Sequence, residues 1–153
     1  ELIQYALQLG SDCPFFIING PCYAAGRGEI LEPLKIDLSA YKIVVVNPGI
    51  HISTPWAFAQ IKPEAPTLSL KELIQLPVSL WNNSIGNDFE KTVFKAYPPI
   101  EKIKNELYKA GAEFALMSGS GSTVFGLFHK NTPPVFDFPK DYFLKCIDLD
   151  NND

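Results

Sequence analysis

Asp12 is the first residue of the chain whose position points to chemistry. It lies in "GSDCPFF", after the helix-ending Gly10 and before Pro14 and an apolar run. A carboxylate can act as a general base when it lies within hydrogen-bond reach of a hydroxyl proton. Asp is also a common turn former, so a purely structural role explains the same pattern. Both interpretations stay open on Asp12 alone.

The loop "SGSGS", residues 118–122, joins two apolar stretches. Gly119 and Gly121 can adopt positive φ, while Ser120 and Ser122 offer hydroxyls and backbone N–H groups to an anion such as a phosphate. A plain hairpin tip is the alternative, because Gly and Ser are common in turns. The loop does not match the Walker A or dinucleotide-binding patterns, which need a following lysine or a following helix.

The stretch "STPWAF" is the third candidate. Thr54 followed by Pro55 predicts a helix that begins there with Thr54 as its N-cap. A helix start attracts phosphate, and an aromatic ring one turn away can stack on a base. Packing of Trp56 or Phe58 into the core is the competing explanation.

Composition limits the classes of protein to consider. The chain has 153 residues, 46% of them hydrophobic, which suffices for one domain or for one domain with part of another. No apolar run approaches the ~20 residues of a membrane helix. A net charge of −4 gives no general reason to bind nucleic acid or an anionic membrane. Three scattered cysteines predict reduced thiols in a cytosolic protein and no metal site.

The first part of the chain predicts a helix followed by a β-meander. Helical spacing over "ELIQYALQLG" starts without a cap, which we interpret as the sign of a fragment whose upstream part is missing. The strands predicted for the meander, residues 14–37, are "PFFIIN", "CYAAG" and "ILEPLKI".

The second part predicts an α+β fold with a mainly antiparallel sheet. A buried strand, "KIVVVNPG", precedes four helices, the first of which is broken by Pro63 and Pro66. Two strands then flank the "SGSGS" loop, and "YFLKCIDLD" forms a last strand after an irregular, proline-rich stretch. The predicted boundary lies near residues 39–42 and divides the chain into 1–40 and 41–153.

Predicted helix caps and one apolar stripe locate the second, third and fourth helices of this part. Ser69 is the predicted cap of the second helix, and Asn87 with Glu90 forms a predicted capping box for the third. The fourth helix carries one apolar stripe and ends at a glycine; these residues are Ile100, Ile103, Leu107 and Gly111.

Four stretches together resemble the second half of a GHMP-type small-molecule kinase. They are "LGSDCPFFIINGPCYAAGRGEILEPL", "VVVNPGIHISTPWAF", "NDFE" and "MSGSGSTVFGLF", and they occur in the order found in that family. The resemblance implies a ferredoxin-like GHMP kinase C-terminal domain, an antiparallel sheet with helices, over residues 41–153. It implies that residues 1–40 are a helix and strand remnant of the N-terminal, ATP-binding domain.

The resemblance also implies an activity. Within the family, the likeness is to enzymes that transfer the γ-phosphoryl group of ATP, with Mg²⁺, to the 2-hydroxyl of a cytidine-diphosphate-linked methylerythritol in the non-mevalonate isoprenoid pathway. Asp12 matches the catalytic base, and Phe58 matches an aromatic that stacks on cytosine. Thr54 lies where the family reaches the substrate phosphates.

The remaining site residues follow from the same resemblance. The loop from Gly119 to Ser122 matches the third family motif, which supports the phosphate-binding region, and Arg27 and Gly28 lie in a turn lining the same cleft. The main ATP loop and the lysine partner of the base are absent from this chain. We therefore expect the missing N-terminal half to supply them, and the fragment to be inactive alone. A bacterial cytoplasmic location is expected, with a plastid left open.

Two alternatives remain at this point. Another GHMP kinase, of the homoserine or mevalonate type, would share the fold and the third motif. A non-catalytic α+β binding module would explain the glycine loop as a hairpin and Asp12 as a turn residue.

Overall fold

The computed structural model describes residues 2–61, 68–131 and 134–150. The chain forms two compact units, Glu1–Asp37 and Leu38–Asp153. In the described residues no helix combines the length and the apolar character needed to cross a membrane. The predicted helix breakers Pro63 and Pro66 lie outside the described residues.

The described residues of the first unit form two helices and one hairpin. Helix α1 spans Leu2–Leu9 and helix α2 spans Cys13–Ile18. Strand β1, Cys22–Ala25, pairs antiparallel with strand β2, Ile30–Pro33. The predicted helix and the last two predicted strands are confirmed, but the meander is a two-stranded hairpin.

The prediction of a strand at "PFFIIN" is wrong, because these residues belong to α2. Four consecutive apolar residues have no periodicity that separates a strand from a helix, and Pro14 fits the first helical turn. Asn19 ends the helix in the left-handed conformation (φ 49°), and its N–H donates to the Phe15 carbonyl oxygen at 2.9 Å. The run is not buried either: Phe16 is 76% exposed.

The second unit is built on a four-stranded antiparallel sheet. Its strands are β3 (Tyr41–Asn47), β4 (Phe114–Met117), β5 (Val124–His129) and β6 (Phe143–Asp148). Their order across the sheet is β4-β5-β3-β6, so β4 and β6 are the edges. The predicted α+β class with an antiparallel sheet is confirmed, and the order is that of a ferredoxin-like sheet.

Helices connect β3 to β4 in this unit. They are α3 (Thr54–Gln60), α4 (Leu70–Leu73), a 3₁₀ helix (Val78–Asn83), α5 (Glu90–Ala96) and α6 (Pro98–Lys109). The predicted stripe of α6 is confirmed, since Ile100, Ile103 and Leu107 are buried against the sheet residues Val44 and Phe128. This stripe and the inner face of β3 and β5 form the core.

Two of the predicted helix caps are corrected by the structure. Ser53, one residue before Thr54, caps α3 and accepts from the Trp56 N–H at 3.4 Å. Glu90 does not close a capping box: its carboxylate accepts from the Met117 N–H at 2.9 Å and pairs with Lys104 at 2.6 Å. The cap at Ser69 is confirmed, with both bonds of its capping box formed.

The chain is irregular immediately before β6. Residues 134–142, the part nearest β6 that the structure describes, contain neither helix nor strand, as their prolines predict. Phe136, Phe138 and Tyr142 nevertheless pack against the core, with the rings of Phe136 and Phe138 stacked at 5.3 Å. Aromatic packing thus anchors this irregular stretch to the core.

Candidate active site

In the first unit, the turn between β1 and β2 carries the predicted residues Arg27 and Gly28. Gly26 (φ +68°) and Gly28 (φ +106°) both have positive φ, which explains why the turn needs glycine twice. Glu29 folds over the turn, and its Oε2 accepts from the Arg27 N–H at 2.5 Å. Hydrogen bonds from its own N–H and from that of Arg27 lower the pKa of Glu29, so the carboxylate stays ionised and keeps the turn closed.

Asp12 lies against this turn. A Cβ added at Gly28 would be 2.8 Å from the Asp12 Oδ1, so the carboxylate packs on the bare Cα of Gly28. Asp12 adopts a helical conformation (φ −90°, ψ −13°) immediately before α2. Its side chain does not cap the helix; the Ser11 hydroxyl donates to Oδ1 at 3.3 Å. The result is an exposed carboxylate with one oxygen held beside a glycine turn.

In the second unit, the loop from Ser118 to Ser122 closes the hairpin of β4 and β5. The Ser118 N–H donates to the Thr123 carbonyl oxygen at 2.8 Å, and the Gly121 N–H donates to that of Ser118 at 3.0 Å. Gly119 (φ +54°) and Gly121 (φ +92°) take the positive φ predicted for them. The loop is therefore a defined turn with internal hydrogen bonds.

The two serines of the loop differ in what they offer a ligand. Ser122 is 4% exposed, and its hydroxyl donates to the Ile50 carbonyl oxygen at 2.6 Å. Its side chain therefore anchors the loop instead of facing solvent, which corrects the expectation that both hydroxyls are available. Ser120 is half-buried, and its Oγ lies 3.4 Å from the Thr54 Oγ1 at the start of α3. The structure thus brings together two of the sites predicted separately.

Phe58 is 60% exposed, so it is not a core residue. Its ring meets that of Phe89 edge to face, with centroids 5.0 Å apart. The two rings line a cavity of about 460 Å³ that also includes Asn87 and Gly119. Trp56, by contrast, packs against the core, so the core interpretation holds for it and fails for Phe58.

Asn87 is the residue of this region whose role was missed in the sequence. Its Nδ2 donates to the carbonyl oxygens of Met117 at 2.7 Å and Gly119 at 2.8 Å. The sequence suggested only a helix cap for it, and this prediction is wrong, because α5 begins at Glu90 after Phe89 and no side chain caps it. The Asn87 Oδ1 accepts from the Phe89 N–H, before the helix, at 2.9 Å. The contact with the loop spans some thirty residues of chain, and no local pattern signals it.

Comparison with known families identifies the second unit. Residues 66–135 match the family model described as GHMP kinases C terminal. The second unit is a GHMP kinase C-terminal domain. The α+β sheet, its loop and the "NDFE" segment are therefore features of a domain in that family.

Curated relatives extend the match over both units of the chain. It is 56% identical over 128 residues to a 4-diphosphocytidyl-2-C-methyl-D-erythritol kinase of Bacteroides fragilis, covering 84% of this chain and 47% of the relative. It is 51% identical over 132 residues to the enzyme of the same name from Parabacteroides distasonis, covering 86% and 49%. The chain spans about half the length of the curated relatives it matches.

Solved structures agree with this family. A crystal structure of 4-(cytidine 5'-diphospho)-2C-methyl-D-erythritol kinase superimposes with a TM-score of 0.71 at 31% identity, over 83% of this chain and 47% of that one. A homoserine kinase from Cytophaga hutchinsonii has a TM-score of 0.53 at 18% identity, over 67% of this chain and 36% of that one. The second likeness shows a shared fold alone.

Proposed function

We propose that this chain is the C-terminal part of an ATP-dependent kinase that phosphorylates the 2-hydroxyl of 4-diphosphocytidyl-2-C-methyl-D-erythritol, a step of non-mevalonate isoprenoid biosynthesis. The observation that carries the proposal is the 56% identity over 128 residues to a relative named as that kinase. The complete protein is then a phosphotransferase with an alcohol acceptor. A cytoplasmic location of that protein stays a prediction.

Asp12 is the proposed general base. In phosphoryl transfer the protein contributes mainly positioning and charge stabilisation, with one group placed to accept the proton of the attacking hydroxyl. The exposed Asp12 carboxylate beside the Gly28 turn is free to receive that proton. As the substrate oxygen bonds to the γ-phosphorus, the bond to the bridging oxygen breaks and ADP leaves. Arg27 would add positive charge next to this turn.

Substrate binding is proposed for Thr54 and Phe58. An exposed aromatic ring that is already supported by Phe89 can stack on a planar base without losing core packing. The hydroxyls of Thr54 and Ser120, 3.4 Å apart, form a pair of neutral donors suited to phosphate oxygens. Gly119 and Gly121 let the loop backbone approach a phosphate group closely.

We assign only one part of the ATP-binding site to this chain. The loop Gly119–Ser122 supplies backbone donors for a phosphate, and the remaining half of the relatives' length is the proposed source of the main ATP site. Within residues 2–61, 68–131 and 134–150, no group of three His, Cys, Asp or Glu side chains could hold a metal ion. We therefore assign no residue of this chain to magnesium.

An assay of the complete protein tests the proposal. The chain would be produced together with the upstream part of its own reading frame and supplied with ATP and 4-diphosphocytidyl-2-C-methyl-D-erythritol. We expect ATP-dependent phosphorylation by the complete protein and none by the 153-residue chain alone. Faster turnover of homoserine or mevalonate would favour a different GHMP kinase. Binding of the cytidine compound without turnover would favour a binding module.

A further inference from the structure

Strand β4 is an edge of the sheet, and its outer side has no neighbouring strand among the residues that the structure describes. Alternate residues of an antiparallel strand direct both N–H and C=O groups to the same side, and on an edge these groups need other partners. Side chains supply them here. On β4 the bonds join the Tyr108 hydroxyl to the Ala115 N–H (3.0 Å), Glu90 to the Met117 N–H (2.9 Å) and Asn87 to the Met117 carbonyl (2.7 Å). Immediately before the strand, Asn82 donates to the Glu113 carbonyl (2.7 Å).

Asn87 extends this row of side-chain bonds beyond the end of the strand. Its second Nδ2 hydrogen bond goes to the Gly119 carbonyl oxygen at 2.8 Å, inside the loop. The amide cannot turn freely, because its Oδ1 accepts from the Phe89 N–H at 2.9 Å. Only one orientation of the amide satisfies all three bonds.

The loop is held at both ends by different parts of the fold. Ser122 ties its second half to Ile50 through a buried hydroxyl. Asn87 ties its first half, at Gly119, to the segment that precedes α5. Gly119 itself is exposed, and an added Cβ would meet nothing within 4 Å, so packing around its Cα does not restrain it.

We propose that Asn87 is a positioning residue that holds Gly119 and the first half of the Ser118–Ser122 loop in the conformation needed for phosphate contact. The part concerning catalysis rests on the proposed function, whereas the part concerning loop order does not. Donors that are already oriented stabilise transition-state charge without reorganising during the reaction. Loss of Asn87 therefore lowers the rate of the chemical step and leaves the alcohol-binding residues Thr54 and Phe58 in place.

Asn82 provides a matched control on the same strand edge. It also donates through Nδ2 to a backbone carbonyl, that of Glu113 at 2.7 Å, but Glu113 immediately precedes β4 and lies at the end far from the loop. Asn82→Ala and Asn87→Ala thus remove the same kind of bond. Asn87→Asp is the second variant: it keeps the acceptor for the Phe89 N–H and replaces the donating group by an oxygen that repels both carbonyls.

Hydrogen–deuterium exchange of the 153-residue chain measures the loop directly. We expect the Ser118 and Gly121 amides to exchange about 10-fold faster or more in both Asn87 variants, and within about 2-fold of the original rate in Asn82→Ala. Equal exchange in Asn87→Ala and Asn82→Ala would overturn the proposal.

Kinetics of the complete protein measure the consequence. We expect Asn87→Ala to lower kcat about 10-fold or more with the KM of the alcohol changed by less than about threefold, while Asn82→Ala leaves kcat unchanged. A raised KM with an unchanged kcat would instead make Asn87 a substrate ligand and refute the positioning role. If the unsubstituted complete protein has no kinase activity, the proposed function fails, and the exchange experiment still decides whether Asn87 orders the loop.

Discussion

Replacement of Gly121 by alanine tests how tightly the glycine–serine loop packs on the core. An added Cβ would lie 2.8 Å from the Ile52 Cδ1 and 2.9 Å from the Met117 Sδ, both in residues that are less than 7% exposed. Gly121 also has φ +92°, which an L-residue rarely adopts. Neither neighbour can move into solvent, so the contact must be relieved by shifting the core or the loop.

The free energy of unfolding that Gly121→Ala is expected to lose has a backbone part and a packing part. A non-glycine residue at strained positive φ costs of the order of 1–3 kcal/mol. Overpacking of a buried site adds about 1–3 kcal/mol. Gly121→Ala should therefore lower the free energy of unfolding by about 4 kcal/mol, taking the middle of both ranges.

The variant Gly119→Ala separates the backbone part of this loss from the packing part. Gly119 also has positive φ, at +54°, but nothing lies within 4 Å of an added Cβ. This variant should lose only the backbone part, about 1–2 kcal/mol for a residue in the left-handed helical region. The difference between the two variants, about 2 kcal/mol, then measures the steric contact with Ile52 and Met117.

Urea unfolding followed by tryptophan fluorescence is the suitable assay. The two tryptophans of the chain, Trp56 and Trp81, both lie in the second unit, so the signal reports that unit alone. Equal destabilisation by the two alanine variants would refute the close packing of Gly121 against Ile52 and Met117. A change in the slope of free energy against urea would show that the variant altered compactness as well.

Three further predictions concern Tyr41 and the proposed base. Burial, followed by the hydrogen bond to Glu113 and its negative charge, raises the pKa of Tyr41 from 10.0 to about 12. The neutral phenol is thus favoured by folding, and its contribution to stability is complete below pH 10 and is lost as the pH rises to about 12. An ultraviolet titration of tyrosinate should lose its highest-pKa component in Tyr41→Phe, and an unchanged titration would contradict this assignment. In the complete protein, Asp12→Asn should abolish phosphoryl transfer with substrate affinity within about tenfold, and an active variant would exclude Asp12 as the base. Gly28→Ala should displace the Asp12 carboxylate, since the new Cβ would lie 2.8 Å from its Oδ1, and lower kcat with little change in KM; an unchanged kcat would show that this contact is dispensable.

Elements with a clear period were predictable from sequence. The stripe of Ile100, Ile103 and Leu107 predicted α6 and its buried face. The alternating and apolar runs predicted the strands of the four-stranded sheet in the second unit. The run Phe15–Ile18 has neither helical nor strand periodicity, so its helical form depended on Pro14 and on contacts that the sequence does not display.

Local capping patterns were predictable only where no distant partner competed. Ser69 and Glu72 close a capping box because both side chains stay on their own helix. Glu90 has the same spacing from Asn87, but it bonds to the Met117 N–H and to Lys104. At α3, adjacent Ser53 and Thr54 are both good caps, and Pro55 is tolerated in either register, so an error of one residue follows naturally.

The position of Phe58 outside the core also follows from the fold and not from its residue type. Aromatic residues dominate cores, and Trp56, two residues earlier, does pack against the core. A helix turns by about 200° over two residues, so the side chains of Trp56 and Phe58 leave α3 on nearly opposite sides. One ring therefore packs inward and the other remains exposed beside the cavity.

The spacing of Asn87 and Glu90 explains how one segment serves both the sheet and the loop. Met117 directs an N–H and a C=O to the open side of β4, so it needs one acceptor and one donor. Glu90 supplies the acceptor and Asn87 the donor. A neighbouring strand would satisfy Met117 equally well, but its backbone would have to continue past the strand end to reach Gly119. A side-chain amide reaches both carbonyls from one position, so the residue that completes the sheet edge is also the one that orders the loop.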